Sequence, residues 1–248
     1  VNTHPFVSKL RDREWVFAHK GDVSGIMRDP EFKLEYYFPV GETDSEHAFC
    51  YIMDGLRGLG DGVSSVVEVS RVVWAMAKEI GGYGKFNFLL SDGVHLYAYM
   101  NRSGTLHYLL RHPPHGGYAR LIDGDFEVRL EEVKARDEFA ALIATKPLTS
   151  ENWEPFEPGS LYVFSDGGIV LRVNSRGELE HALSIVEVRV LEYVRASPHS
   201  VRLKEISSEL GLDVSETCRV VEGLIAKGFL MQDSRIAVPP SHPEARFY

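Results

Sequence analysis

The sequence predicts an α+β domain followed by a small winged helix-turn-helix, on three observations. Two helical patterns stand close together early in the chain, about 43–58 and Val63–Ile80. After them come strand-like runs broken at Ser91-Asp92-Gly93 and Asp166-Gly167-Gly168, where Asp-Gly supplies the positive φ of a tight hairpin turn. Past Asn174-Ser175-Arg176-Gly177 the pattern changes to three short helices and two strand-like pieces. The predicted domains are therefore 1–175 and 176–248.

Taken in order, Glu14–Ala18 reads as a strand leading into a turn at Lys20-Gly21-Asp22, and 22–41 as an irregular loop with a short helical piece. Thr43 with Glu46 fits a capping box, with Asp44 or Ser45 as alternative caps, for a helix through Phe49, Ile52, Met53 and Leu56 that ends at Gly58. The second helix has a broad stripe of Val63, Val66, Val67, Val69, Val73, Met76, Ala77 and Ile80, with Glu68, Arg71, Lys78 and Glu79 opposite. Phe86–Leu90 and Val94–Met100 form a hairpin, and Leu106–Arg111 reads as its neighbouring strand. Further strands are expected near 119–122, 126–130 and Ala140–Ala144. In the second domain helices are expected at Ala182–Arg195, Leu203–Leu210 and Ser215–Lys227. Strand-like Phe229–Gln232 and Ile236–Val238 follow, then an extended tail.

With 44% hydrophobic residues in 248, the chain has ample material for a core, which excludes a disordered class. A net charge of -9 argues against coating nucleic acid or anionic membrane by bulk charge. Two distant cysteines, Cys50 and Cys218, make no disulfide framework and fit a cytoplasmic setting. No apolar run approaches the ~20 residues of a membrane helix. Asn101-Arg102-Ser103 matches a glycosylation acceptor, a pattern common by chance.

Asn2-Thr3-His4-Pro5-Phe6, Ala18-His19-Lys20-Gly21 and Thr43-Asp44-Ser45-Glu46, in that order, resemble the class II glutamine amidotransferases, and most closely their small stand-alone members. The likeness resumes at Phe86-Asn87-Phe88-Leu89-Leu90-Ser91-Asp92-Gly93 and Ile143-Ala144-Thr145-Lys146-Pro147-Leu148-Thr149, so it covers residues 1–170. The resemblance implies an N-terminal-nucleophile hydrolase-like α-β-β-α sandwich, N-terminally incomplete here. It also implies hydrolysis of the side-chain amide of L-glutamine, without cofactor or metal, by an N-terminal cysteine whose base is the α-amino group. This chain starts at Val1 without the cysteine and a substrate-binding arginine that precede the segment in the family. It is therefore expected to be either a fragment of a longer protein or a natural truncation, and the 248 residues alone are expected to be inactive.

By the same resemblance Lys20 and Gly21 occupy oxyanion-hole positions. The family usually has asparagine at the position of Lys20, and losing one such donor typically costs ~2.7–4 kcal/mol. Lys20 is a flexible cation rather than a fixed dipole. At roughly 8 Å and an effective dielectric of ~20 it would repel a substrate ammonium by ~2 kcal/mol. The plainer alternative is a strand-to-turn glycine beside an exposed lysine. Asp44 is implied to hold the α-ammonium of glutamine, and equally fits a helix cap. His4 and Thr3 lie in the pocket-lining segment, with a purely structural His4 as the competing reading. Cys50, between Phe49 and Tyr51, reads as an inert core thiol. His112-Pro-Pro-His115 lacks the partners of a metal site. For the C-terminal domain two partners are open, DNA through Arg202, Lys204, Arg219 and Arg235, or protein. Nine Arg and Lys against eleven Asp and Glu in 176–248 favour protein. An alternative to the enzyme is a catalytically dead sensor of an amino acid that signals through the winged helix.

Overall fold

A computed structural model describes residues 3–60, 65–101, 105–111, 118–121, 127–130, 140–165, 167–180, 185–226, 229–233 and 239–248. The chain divides into two units, Val1–His181 and Ala182–Tyr248.

In the first unit, β1 (Phe6–Leu10) pairs antiparallel with β2 (Arg13–Asp22). The helices α1 (Asp44–Arg57) and α2 (Val66–Ile80) follow. Then come β3 (Lys85–Ser91), β4 (Leu96–Met100), β5 (His107–Arg111), β6 (Tyr118–Arg120), β7 (Glu127–Arg129), β8 (Ala140–Ala144), β9 (Glu154–Pro155), β10 (Ser160–Ser165), β11 (Gly168–Val173) and β12 (Leu179–Glu180). The main sheet has the order β1-β2-β3-β4-β10-β11-β12, and a second sheet the order β8-β5-β9; β6 and β7 pair separately.

The period of two along each strand sorts the main sheet into two faces. Trp15, Phe17 and His19 leave β2 on one face, in line with Phe88, Leu90, Tyr97 and Tyr99 of β3 and β4. The helices cover this face. Phe17 stacks on Phe49 of α1 at 5.3 Å between ring centroids, and Trp74 of α2 donates to the Gly159 carbonyl at 3.0 Å. Burial of each such aromatic contributes roughly 1.5–3 kcal/mol. Leu89, Ala98, Met100, Tyr162 and Phe164 leave by the other face and pack on Leu106, Tyr108, Leu110, Ala141 and Ile143 beneath the second sheet. Helices, sheet and sheet thus form three successive layers. A second helical layer is not among the described residues.

Local chemistry explains the helix ends. Thr43 accepts from the Glu46 N–H at 3.2 Å, but Glu46 does not close a reciprocal box. Its carboxylate instead takes the N–H groups of Val40 and Gly41 at 3.0 and 2.7 Å. Ser65 and Glu68 do form the reciprocal box at the start of α2, later than the expected start at Val63. Met76 of α2 lays its thioether over Gly55 of α1, where a Cβ would lie 2.1 Å from Sδ.

Three expectations are corrected. Lys20-Gly21-Asp22 is strand, not turn, paired with Asn87, Phe86 and Lys85. Glycine here serves close approach instead of chain reversal. A Cβ on Gly21 would lie 1.7 Å from the Lys85 carbonyl oxygen, and one on Gly84 2.0 Å from that of Asp22. Residues 107–111 belong to the second sheet; β4 pairs with β10 instead, and alternate residues Leu106, Tyr108 and Leu110 find their core across the sheet interface. The tail is not extended throughout: it turns between Pro239 and Ala245, where His242 and Ala245 donate to the carbonyls three residues back, before the strand described next.

In the second unit α3 (Ile185–Ala196), β13 (Val201–Arg202), α4 (Leu203–Leu210) and α5 (Val214–Ala226) precede β14 (Arg246–Phe247). Gly211, at φ 65°, ends α4 in the left-handed conformation that L side chains resist. Asp213 then caps α5, accepting from the N–H groups of Ser215 and Glu216 at 2.7 and 3.0 Å. β14 pairs with β13, and Met231 and Tyr248 exchange backbone hydrogen bonds. The tail closes the small sheet because Ala245 and Phe247 are fully buried. Expected strand 236–238 and Arg235 lie outside the described residues, as does His112-Pro-Pro-His115.

Candidate active site

The end of β2 gathers the functional candidates. Phe86 of β3 donates its N–H to Asn101 Oδ1 and accepts the Asn101 N–H, both at 3.1 Å, so its backbone polar groups point toward β4. Its partner across β2 is Gly21. In an antiparallel ladder that makes Gly21 and Phe86 a non-hydrogen-bonded pair, and the Gly21 N–H points away from β3. It points to the side of β1, whose first residue, Phe6, lies opposite Phe17 and does not reach so far along.

Two residues on, the Val23 N–H donates to Asp44 Oδ2 at 2.7 Å. Asp44 is the first residue of α1, and the cap itself is Thr43, so the Asp44 carboxylate is turned back to the strand end. It stands at the positive end of the α1 dipole. Ser45 lies beside it. Ser45 Oγ is 2.8 Å from His19 Nδ1 and 3.4 Å from Asp44 Oδ1, while His19 Nε2 is 3.3 Å from the Lys85 carbonyl oxygen. Burial lowers the His19 pKa from its ordinary 6.5, against the raising influence of the Lys85 carbonyl and Asp44. His4 also acts on it, placing the imidazole of the Asn-Thr-His-Pro-Phe segment in the same neighbourhood. Thr3 and His4 are exposed, and the His4 ring meets Phe6 edge-on at 4.8 Å.

Lys20 leaves β2 by the opposite face. Its Nζ lies 3.4 Å from Thr145 Oγ1, just past β8 of the second sheet. Gly21, Asp44 and His4 are thus brought to one strand end, and Lys20 points from that end toward the second sheet. In the sequence His19 and Ser45 stand only within the Ala18-His19-Lys20-Gly21 and Thr43-Asp44-Ser45-Glu46 motifs, Ser45 also as an alternative cap, with no site role of their own. The available signal was periodicity, since His19 is the polar member of the inward series Trp15, Phe17, His19.

The remaining nucleophile candidate is disqualified by chemistry. Burial, with Glu46 and Asp54 nearby, pushes the Cys50 thiol up to about 12. Asn101 cannot present its amide nitrogen to a glycosyl donor, because that nitrogen is bonded to the carbonyls of Gly81 and Gly84. Among the described residues no group of three or more His, Cys, Asp or Glu could hold a metal ion, and no helix is long and apolar enough to cross a membrane.

In the second unit, two of the cations weighed for DNA contact are engaged by carboxylates. Lys204 Nζ is 2.5 Å from Glu244, and Arg202 Nε lies 3.7 and 3.6 Å from Glu205 and Glu244. Arg219 is exposed on α5, whose surface also carries Asp213, Glu216 and Glu222.

A domain of helices packed on two successive sheets, with these residues at one strand end, followed in the chain by a three-helix unit, defines the class. The model of the class II glutamine amidotransferases matches residues 1–186, and that of the IclR helix-turn-helix domain matches 188–234. The chain belongs to the class II glutamine amidotransferase family. It is 38% identical over its whole length to an uncharacterised protein of Methanocaldococcus jannaschii, of which it covers 69%. It is 36% identical, over 67% of its length, to YafJ of Escherichia coli K12, provisionally named a glutamine amidotransferase, and covers 64% of that relative. The crystal structure of a predicted glutamine amidotransferase from Pseudomonas aeruginosa superposes on 68% of this chain and 64% of its own, with 34% identity and a TM-score of 0.58. The chain therefore spans about two thirds of the length of the relatives it matches.

Proposed function

We propose that this chain binds L-glutamine at the end of β2, as the glutamine-binding part of a glutamine amidotransferase. The α-ammonium would lie on Asp44 and the side-chain amide oxygen at the Gly21 N–H. One observation carries the reading. The Asp44 carboxylate is tethered to Val23, two residues from the backbone N–H that β3 leaves unused. An ammonium needs a fixed anion, and a tetrahedral oxyanion needs a fixed donor that costs no reorganisation. His4 and Thr3 would line the approach from the β1 side.

In this reading ammonia is released when a thiolate supplied by residues outside these 248 attacks the amide. Neither Cys50 nor Cys218 suits that task, since burial raises both thiol pKa values. Isothermal titration of the chain with L-glutamine should give saturable binding. Asp44→Asn should weaken it roughly ten- to hundred-fold, the weight of a charge-assisted hydrogen bond of ~1.5–3 kcal/mol. Ammonia release should not exceed buffer. Unchanged affinity in the variant would sink the assigned site, and turnover by the chain itself would sink the external nucleophile.

A second reading is a sensor that binds the amino acid without hydrolysing it and signals through the second unit. Two observations favour it, the cation Lys20 at the usual asparagine position and the engagement of Arg202 and Lys204 by carboxylates. The latter points to a protein partner rather than DNA. Gel shifts with genomic fragments at two salt concentrations, with and without glutamine, test it. Salt-sensitive, glutamine-dependent retardation would favour DNA.

A further inference from the structure

We propose that His19 and Ser45 are positioning residues that set whether Asp44 is free to accept an ammonium, so that ligand binding at this site is governed by the protonation of a histidine behind it. The proposal rests on the reading of Asp44 given above and adds to it a relay through a single hydroxyl.

The geometry defines two hydrogen-bonding states. A hydroxyl has one proton to give and lone pairs to receive. With His19 neutral, Nε2–H faces the Lys85 carbonyl, an obligatory acceptor, so the proton resides on Nε2 and Nδ1 carries the lone pair. Ser45 then donates to Nδ1 across 2.8 Å. In this state the one hydroxyl proton is turned from Asp44 Oδ1, 3.4 Å from the same oxygen, to Nδ1, while Oδ2 accepts the Val23 N–H. When a solvent proton is added to Nδ1, that nitrogen becomes a donor and Ser45 Oγ must accept. The hydroxyl proton then turns to Asp44 Oδ1. Both carboxylate oxygens are thereby occupied, and a positive charge has been placed behind them. Each change opposes an incoming ammonium.

The surroundings of the imidazole permit this switch. Asp44 on α1, Asp22 at the end of β2 and His4 in the N-terminal segment are the titratable groups acting on it. From β3 it meets the Lys85 carbonyl and the Phe86 ring, 4.9 Å between centroids. Glu46, the next carboxylate on α1, is committed to the Val40 and Gly41 N–H groups. Ser45 and His19 are both buried, so water does not compete readily for their bond. Because burial holds the imidazole neutral above its lowered pKa, the accepting state of Asp44 is the one present at neutral pH.

The test begins without ligand, by NMR of the 15N-labelled chain. His19 should be the Nε2–H tautomer near pH 7, and the Val23 amide, bonded to Asp44, should titrate together with the His19 ring. In Ser45→Ala, which removes one oxygen atom, the Val23 amide should lose most of that response, and in Asp44→Asn all of it. An Nδ1–H tautomer, or a Val23 response unchanged in Ser45→Ala, overturns the relay. With L-glutamine, affinity should fall about ten-fold as pH drops below the ordinary histidine pKa of 6.5 and His19 takes up its proton, and clearly less in Ser45→Ala. Absence of glutamine binding at every pH would contradict the function proposed above and leave the ligand-free NMR result to decide the relay.

Discussion

Replacing Gly21 by alanine is the most informative single perturbation, because one methyl group tests both the strand pairing and the site. The added Cβ would lie 1.7 Å from the Lys85 carbonyl oxygen and 2.8 Å from His19 Nε2, where Cβ atoms do not approach below 3.0 Å. Relief requires more than an ångström of movement. The obstacle is backbone, so no rotamer change provides it. The strands must part at the Gly21–Phe86 and Asp22–Lys85 pairs, and the bond from His19 to Lys85 is lost with them. Overpacking of this kind costs about 1–3 kcal/mol. In a unit of this size each kcal/mol lowers Tm by about 2–4 °C, so a fall of roughly 4–8 °C is expected for a cost of ~2 kcal/mol. Gly82→Ala is the matched control, since a Cβ there meets nothing within 4 Å. Differential scanning fluorimetry of the two variants, with glutamine titration of each, gives both readouts. A Gly21→Ala protein that melts with the control and binds glutamine like the parent would refute the close approach and the site built on it.

Asp92, whose side chain is only 4% exposed, gives a pH dependence. Burial alone would raise its pKa, but the His95 and Val94 contacts outweigh it and hold the carboxyl at about 2, below the usual 3.8. A depressed carboxylate stabilises the fold above its unfolded pKa and ceases to do so as pH falls through its folded one. About 2 kcal/mol should therefore disappear between about pH 4 and about pH 2 in urea titrations, and Asp92→Asn should lack that dependence. Asn101→Ala should cost about 3 kcal/mol by chemical denaturation, because it strands the Phe86 N–H and the Gly81 and Gly84 carbonyls, each burial-sensitive. Finally, Cys50 should resist iodoacetamide in the native chain at neutral pH and react only after denaturation, as read by intact mass.

How much of this was legible in the sequence depends on how local each determinant is. α4 matches its expected bounds, Leu203–Leu210, and α1 starts after Thr43, because caps and left-handed glycines such as Gly211 act within a few residues. The hairpin at Asp92-Gly93 is equally local, and Gly93 does take a positive φ of 84°. The misreadings share a cause, being decided by partners distant in sequence. Lys20-Gly21-Asp22 looks like a turn until Gly84 and Lys85 arrive beside it. Leu106–Arg111 joins a second sheet because its alternate residues meet Tyr162 and Phe164. The tail pairs with Val201–Arg202 across the whole second unit. At the site, motifs pointed to Gly21 and Asp44, whereas the His19–Ser45 bond joins a strand to a helix start and has no signature at sequence level.

The most direct test follows the backbone amides of Gly21 and Val23 by NMR during titration of the 15N-labelled chain with L-glutamine. The account predicts that both shift saturably with a common Kd, and that D-glutamine leaves them in place. Shifts confined to residues away from the end of β2, or equal responses to the two enantiomers, would contradict it.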